Sequence, residues 1–183
     1  RLQPYLAGSQ TARRNNLTID YPISQSLFPP GMTAPTVVFH DGEKAERWLV
    51  DVSFADSPNH IYVLTDGRKN PKVIDSRCQK DYNIYEETPY QKEARNWLLK
   101  EDIWKDICRH VEKDISLSIF GISTDGGNIV SDGRVNFRIS KDPVDGLIFY
   151  RDVPLMPSKS NEGVIQPLST EGLPLIEWRL RDI

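Results

Sequence analysis

The sequence predicts an all-β fold: an antiparallel β-sandwich of about seven strands with one inserted amphipathic helix. Three observations carry this. Apolar residues alternate with a period of two, Asp-Gly turn pairs punctuate the runs, and a single stretch shows helical spacing. The 183 residues, 38% hydrophobic and 27% charged, suffice for one core that buries roughly 70% of the unfolded surface. Such a composition excludes disorder, collagen and a disulfide-framework scaffold. No apolar run approaches the ~20 residues that span a bilayer. With 23 Lys and Arg against 26 Asp and Glu, the formal charge of -3 gives no overall pull toward nucleic acid.

Residues 1–19 read as an extended N-terminal arm and 20–183 as the sandwich, with a helical insertion over about 88–113. The first sixteen residues are polar, carry Arg1, Arg13 and Arg14, and lack periodicity; strand character sets in at Leu17. The chain opens at Arg1 without an initiator Met and stops at Ile183 directly after WRLRD, the pattern of a piece cut from a longer polypeptide.

PTVVFHDG (35–42) is β-branched and aromatic, starts at a proline and closes in Asp41-Gly42. A polar link over 43–47 has hairpin length and leads to WLVDVSF (48–54). There Trp48, Val50, Val52 and Phe54 share one face, and Leu49, Asp51 and Ser53 the other. IYVLTDG (61–67) repeats the form. ISLSIFGIS (115–123) sets Ile115, Leu117 and Ile119 against Ser116 and Ser118, and GRVNFRIS (133–140) sets Val135, Phe137 and Ile139 against Asn136, Arg138 and Ser140. These two are expected to pair antiparallel across a Gly- and Asp-rich loop, 124–133, whose Gly126, Gly127 and Gly133 read as turn residues. DPVDG (142–146) turns the chain into LIFYRDV (147–153), and IEWRL (176–180) closes the set.

Thr88, Pro89 and Gln91 have the spacing of an N-cap, a first helical residue and a capping-box partner. Over 100–113, Ile103, Trp104, Ile107, Cys108 and Val111 form one apolar stripe opposite charged residues, with a break near Leu99 that divides the region into two short helices.

Residues that carry chemistry are sparse. His40, His60 and His110 lie far apart in sequence, and Cys78 and Cys108 form no Cys-x-x-Cys, so no metal or cofactor site is expected. Cys108 reads as a small core residue, or as half of a disulfide with Cys78 in an oxidising compartment. Asp125, Asn128 and Asp132 have calcium-type oxygens but not the alternating carboxylate ladder. No nucleophile motif is present, and Cys108 and His110, two apart on a helix, point roughly 200° from each other. Glu86 with Glu87, and Asp142 with Asp145, read as solvated carboxylates. Arg68, Lys69, Lys72, Arg77 and Lys80 read as a solvated basic loop, and Asn16-Leu17-Thr18 matches a glycosylation tripeptide.

A family resemblance covers nearly all of 20–183. DYPISQSLFPPGMTAPTVVFHD (20–41), WLVDVSF, EDIWKDI (101–107), GRVNFRISKDPVDGLIFYRDVPL (133–155) and IEWRLRDI (176–183) resemble the N-terminal module of large bacterial extracytoplasmic proteins. In those proteins an immunoglobulin- or fibronectin-III-like sandwich precedes a TolB-type β-propeller and a c-type haem motif. That Cys-x-x-Cys-His motif does not occur in this chain. The resemblance implies a periplasmic, non-catalytic accessory module that docks onto a propeller, a c-type cytochrome or a membrane electron-transfer assembly. Tyr5, Arg13, Arg14, Tyr150, Arg151, Pro154 and Met156 are the interface candidates, from the arm and the Pro-rich 154–175 loop. The alternative is a carbohydrate-binding accessory module with Tyr62, Tyr82, Tyr85 and Tyr90 coplanar on one face. A hydrolase would require a deep cleft with converging ionisable groups.

Overall fold

The computed structural model describes residues 14–43, 45–69, 87–123 and 128–142, together with the strand backbones at 147–151 and 178–182. The chain divides into two compact units: Arg1–Asn70 with Glu93–Val144, and Pro71–Lys92 with Asp145–Ile183.

In the first unit two sheets enclose one core. The larger has five strands in the order β2 (Ser26–Phe28), β8 (Ile129–Ile139), β7 (Ile115–Ser123), β4 (Ala45–Phe54) and β5 (Ser57–Thr65). The smaller has β1 (Leu17–Tyr21), β3 (Thr36–Asp41) and β6 (Arg95–Leu98). All pairs are antiparallel except β2 with β8, which run parallel. The mostly β, two-sheet architecture is the expected all-β sandwich.

Alternation builds the core as anticipated. Trp48, Val50, Val52 and Phe54 of β4 face inward with Ile115, Leu117 and Ile119 of β7 and Val135, Phe137 and Ile139 of β8. Val37 and Phe39 answer from the smaller sheet. Phe28 packs edge-on against Tyr21, Trp104 and Phe137, with ring centroids 5.5–6.2 Å apart. β7 and β8 form the long hairpin expected, in the register Ile115↔Phe137 through Ile119↔Gly133.

Several expectations are corrected. β3 and β4 do not form a hairpin. The chain passes from one sheet to the other between Asp41 and Ala45, residues 45–47 of the expected link being the start of β4, and Phe39 and Trp48 meet across the core with ring centroids 5.5 Å apart. Ten strands are described rather than about seven. The additional ones, β1, β2 and β6, have five, three and four residues, too few to show a period and held by the partners they pair with. Gly133 is not a turn residue: it lies within β8, and a Cβ there would run into the Leu17 carbonyl oxygen. Leu49, on the face of β4 opposite Trp48, is fully buried as well, in a second cluster with Phe120 and Ile122. Leu17–Ile19, counted with the arm, belong to β1, and Leu17 joins the core.

The helical region also differs. α1 (Pro89–Glu93) belongs, up to Lys92, to the second unit, and its capping box is formed: the Gln91 amide donates to Thr88 Oγ1 (3.2 Å), and the Thr88 amide to Gln91 Oε1 (3.0 Å). The break near Leu99 is the strand β6, whose Trp97 is buried against the core. α2 spans Glu101–Ile107 rather than 100–113. Its Trp104 and Ile107 are buried, and Trp104 Nε1 donates to the Met32 carbonyl at 2.7 Å. After Ile107 the helical ladder gives way to tighter turns, with the Arg109 and His110 amides bonded to the Asp106 and Ile107 carbonyls; Glu112 then takes a left-handed φ of 58° and gives its amide to the Ile139 carbonyl, and Val111 lies at the surface.

In the second unit β9 (Leu147–Arg151) pairs antiparallel with β10 (Trp178–Asp182), Leu147 opposite Asp182 and Arg151 opposite Trp178.

Candidate functional site

The outer face of the five-stranded sheet holds polar side chains on four adjacent strands. The odd-numbered inner residues of β7 and β8 leave Ser116, Ser118, Arg134, Asn136 and Arg138 outside. Register aligns them into rows. Tyr62, Asp51, Ser118 and Arg134 form one; His60, Ser53, Ser116 and Asn136 form the next. Leu27 of β2 stands beside Arg138.

Within these rows, Arg134 Nε donates to Ser118 Oγ (2.9 Å), and Ser116 Oγ donates to Asn136 Oδ1 (2.6 Å). His60 Nδ1 lies 2.7 Å from Asp51 Oδ1. A carboxylate only accepts, so Nδ1 carries the proton of that bond and Nε2 faces away from it. The His60 and Tyr62 rings stack, 5.4 Å apart and 12° from parallel. Burial, and then the Asp51 charge, push the Tyr62 hydroxyl above its ordinary pKa. Arg138 is neutralised by Asp114 at 2.9 Å. Arg134 is exposed and has no carboxylate partner among the described residues.

The other histidines repeat the Asp pairing elsewhere. His40 Nδ1 meets Asp20 Oδ2 at 2.5 Å across β1 and β3. His110 Nδ1 meets Asp56 Oδ1 at 2.7 Å while its ring stacks on Phe54. At one end of the core, Asp41 Oδ2 accepts from Trp48 Nε1 (2.7 Å) and Ser131 Oγ (2.6 Å), tying the two sheets together. Among the described residues no group of three His, Cys, Asp or Glu side chains is placed to hold a metal ion.

Asn16 has a use that its tripeptide context did not suggest. Its carboxamide lies along the half of β8 that β2 leaves unpaired: Oδ1 accepts from the Asp132 amide (3.1 Å), and Nδ2 donates to the Val130 carbonyl (3.2 Å) and to Glu43 Oε1 (3.2 Å). It pairs with the strand as a peptide group would. Asp132 Oδ1 in turn accepts the amides of Arg14 and Asn15, and Arg14 Nη1 donates to Val130 O at 3.1 Å. Arg14, expected as an interface residue, and Asp132, expected as a calcium-type oxygen of a loop but placed within β8, are thus joined in one intramolecular clamp.

The other sequence candidates are distributed as follows. Tyr150 and Arg151 lie in β9 opposite Arg179 and Trp178. Tyr5, Arg13, Pro154, Met156, Cys78, Tyr82 and Tyr85 lie outside the described residues. Cys108 carries a free thiol, half-buried against the core, with its pKa raised first by burial and then by the Glu101 charge. Tyr90, on α1, is 55% exposed. Reasoning from sequence did not find the His60–Asp51–Tyr62 and Ser118–Arg134 groupings. Alternation shows that these residues share a face of their own strand but not which strands are neighbours. Comparisons with protein-family models, curated proteins and solved structures found no match.

Proposed function

We propose that this chain is a non-catalytic interaction module of immunoglobulin- or fibronectin-III-like type. In this reading it acts outside the cytoplasm, docked on a β-propeller or c-type cytochrome of a membrane-associated electron-transfer assembly. The observation that carries the reading is the pair of edge strands. β2 ends the larger sheet and β6 the smaller, and each turns a leucine outward, Leu27 at 64% exposure and Leu98 at 72%. Ile23, at the turn into β2, is 67% exposed. Covering one such side chain is worth about 1.5–3 kcal/mol, and exposed apolar side chains at a sheet edge suit contact with a partner. The resemblance to modules that precede a propeller supplies the class of partner. Tyr5, Arg13, Tyr150, Arg151, Pro154 and Met156 are kept in this reading as contact candidates from the sequence alone.

Calorimetric titration of the module against a propeller–cytochrome protein of the resembling type tests this. Leu27→Asp and Leu98→Asp are expected to weaken binding at least tenfold with unchanged circular dichroism. Unaltered affinity in both variants, or no binding by the parent chain, would sink the docking reading.

A further inference from the structure

Between the His60–Tyr62 stack on β5 and Arg134 and Asn136 on β8, the outer sheet face is floored by short side chains: Ser53 and Ser116 in the row of His60 and Asn136, and Asp51 and Ser118 in the row of Tyr62 and Arg134. The backbones of β5 and β8 are three strand spacings apart, roughly 14 Å at ~4.8 Å per strand, and Arg134 leans back over β7 to reach Ser118, which narrows the gap between the guanidinium and the stack. One flank is aromatic, the His60 and Tyr62 rings stacked nearly parallel, so that the stack offers an outer ring face. The other is a guanidinium held by its Nε, so its terminal N–H groups are pre-set and its charge is unanswered by any carboxylate among the described residues. Asn136, two residues along β8 on the same face, accepts from Ser116 through Oδ1, which leaves its Nδ2 donors for a ligand. Asp51 between the flanks spends Oδ1 on His60 and keeps Oδ2 as an acceptor.

Taken together, the groups are an aromatic plane for a ring face, separate donors and acceptors for hydroxyls, and one oriented cation for an oxyanion. We propose that this face binds a short acidic saccharide, with its carboxylate or sulfate in the Arg134 fork and a sugar ring against His60 and Tyr62. The span suits an oligosaccharide rather than a single sugar. Protein docking through Leu27 and Leu98 uses different side chains, so either reading can fail without the other.

Native affinity electrophoresis of the whole chain tests the proposal, with gels containing polygalacturonate, chondroitin sulfate or neutral dextran. The chain's formal charge of -3 opposes bulk attraction to a polyanion, and the Arg134→Gln variant separates the proposed contact from attraction to the basic residues of 68–80. Retardation is expected in at least one acidic polymer and not in dextran. Arg134→Gln is expected to reduce it at least tenfold and His60→Ala to weaken it, while Leu27→Asp leaves it unchanged. Retardation by polygalacturonate alone assigns a carboxylate, by chondroitin sulfate alone a sulfate, and equal retardation by both an oxyanion clamp indifferent to its source. Failure of both acidic polymers to retard the chain, retardation in dextran equal to that in the acidic gels, or retardation insensitive to Arg134→Gln would overturn the proposal.

Discussion

Asn16 shows how one exposed side chain can complete a sheet. Asn16→Asp keeps the acceptor for the Asp132 amide but removes both Nδ2 bonds and sets a new charge beside Glu43 and Asp132. A loss of about 1–3 kcal/mol is expected, measured as a lower urea midpoint, with faster hydrogen exchange at the Asp132 amide. Gly133→Ala is expected to cost about 1–3 kcal/mol by overpacking, because the intruding methyl meets the backbone of Leu17 and not a movable side chain. Gly67 is constrained twice: its φ is 59°, and a Cβ would lie 2.7 Å from the Trp48 ring. The Cys108 thiol, raised by burial and then by Glu101, ties stability to alkaline pH. Its contribution is full below the thiol pKa of the unfolded chain and is lost as pH rises through the higher folded value. Denaturation midpoints should therefore fall across that alkaline range in the parent and fall less in Cys108→Ala; identical pH profiles would refute the linkage.

At the level of elements, α2 is held by what it buries and not by its ends. It has no side-chain N-cap at Lys100, but Trp104 is almost fully buried and donates to the Met32 carbonyl. Trp104→Ala is expected to cost about 3–5 kcal/mol, far more than the ~1 kcal/mol expected of Thr88→Ala at the capping box of α1; thermal melts of the two variants check the ordering. The same elements show what can be read from sequence. The inner face of β4, the β7–β8 hairpin and the Thr88 box were legible because each signal is local, whether a period of two, a loop of turn residues or a three-residue spacing. β6 was hidden because Trp97 and Leu99 continue an apolar pattern into a helix, and only pairing with β3 makes Arg95–Leu98 a strand. The cross-strand groups around Arg134 were illegible for the same reason, since they depend on β8, β7, β4 and β5 lying in that order.

For the whole molecule, two sheets share one aromatic and aliphatic core, and the polar ties at its margin, Asp41 with Trp48 and Ser131, fix the sheets' mutual position. Asp41→Ala would leave the Ser131 hydroxyl and the Trp48 indole without their acceptor in the core, and a loss of about 1–3 kcal/mol is expected, read as a lower unfolding temperature. An isosteric Asp41→Asn should recover part of it. The clamp formed by residues 14–16 matters beyond stability. A chain trimmed to begin after Asn16 would leave the rim of β8 from Val130 to Asp132 with main-chain groups turned to solvent, free to zip onto the same rim of another copy. Such a truncated protein should self-associate with rising concentration while the parent stays dispersed, so proteolytic nicking near the amino end would convert a well-behaved protein into a sticky one.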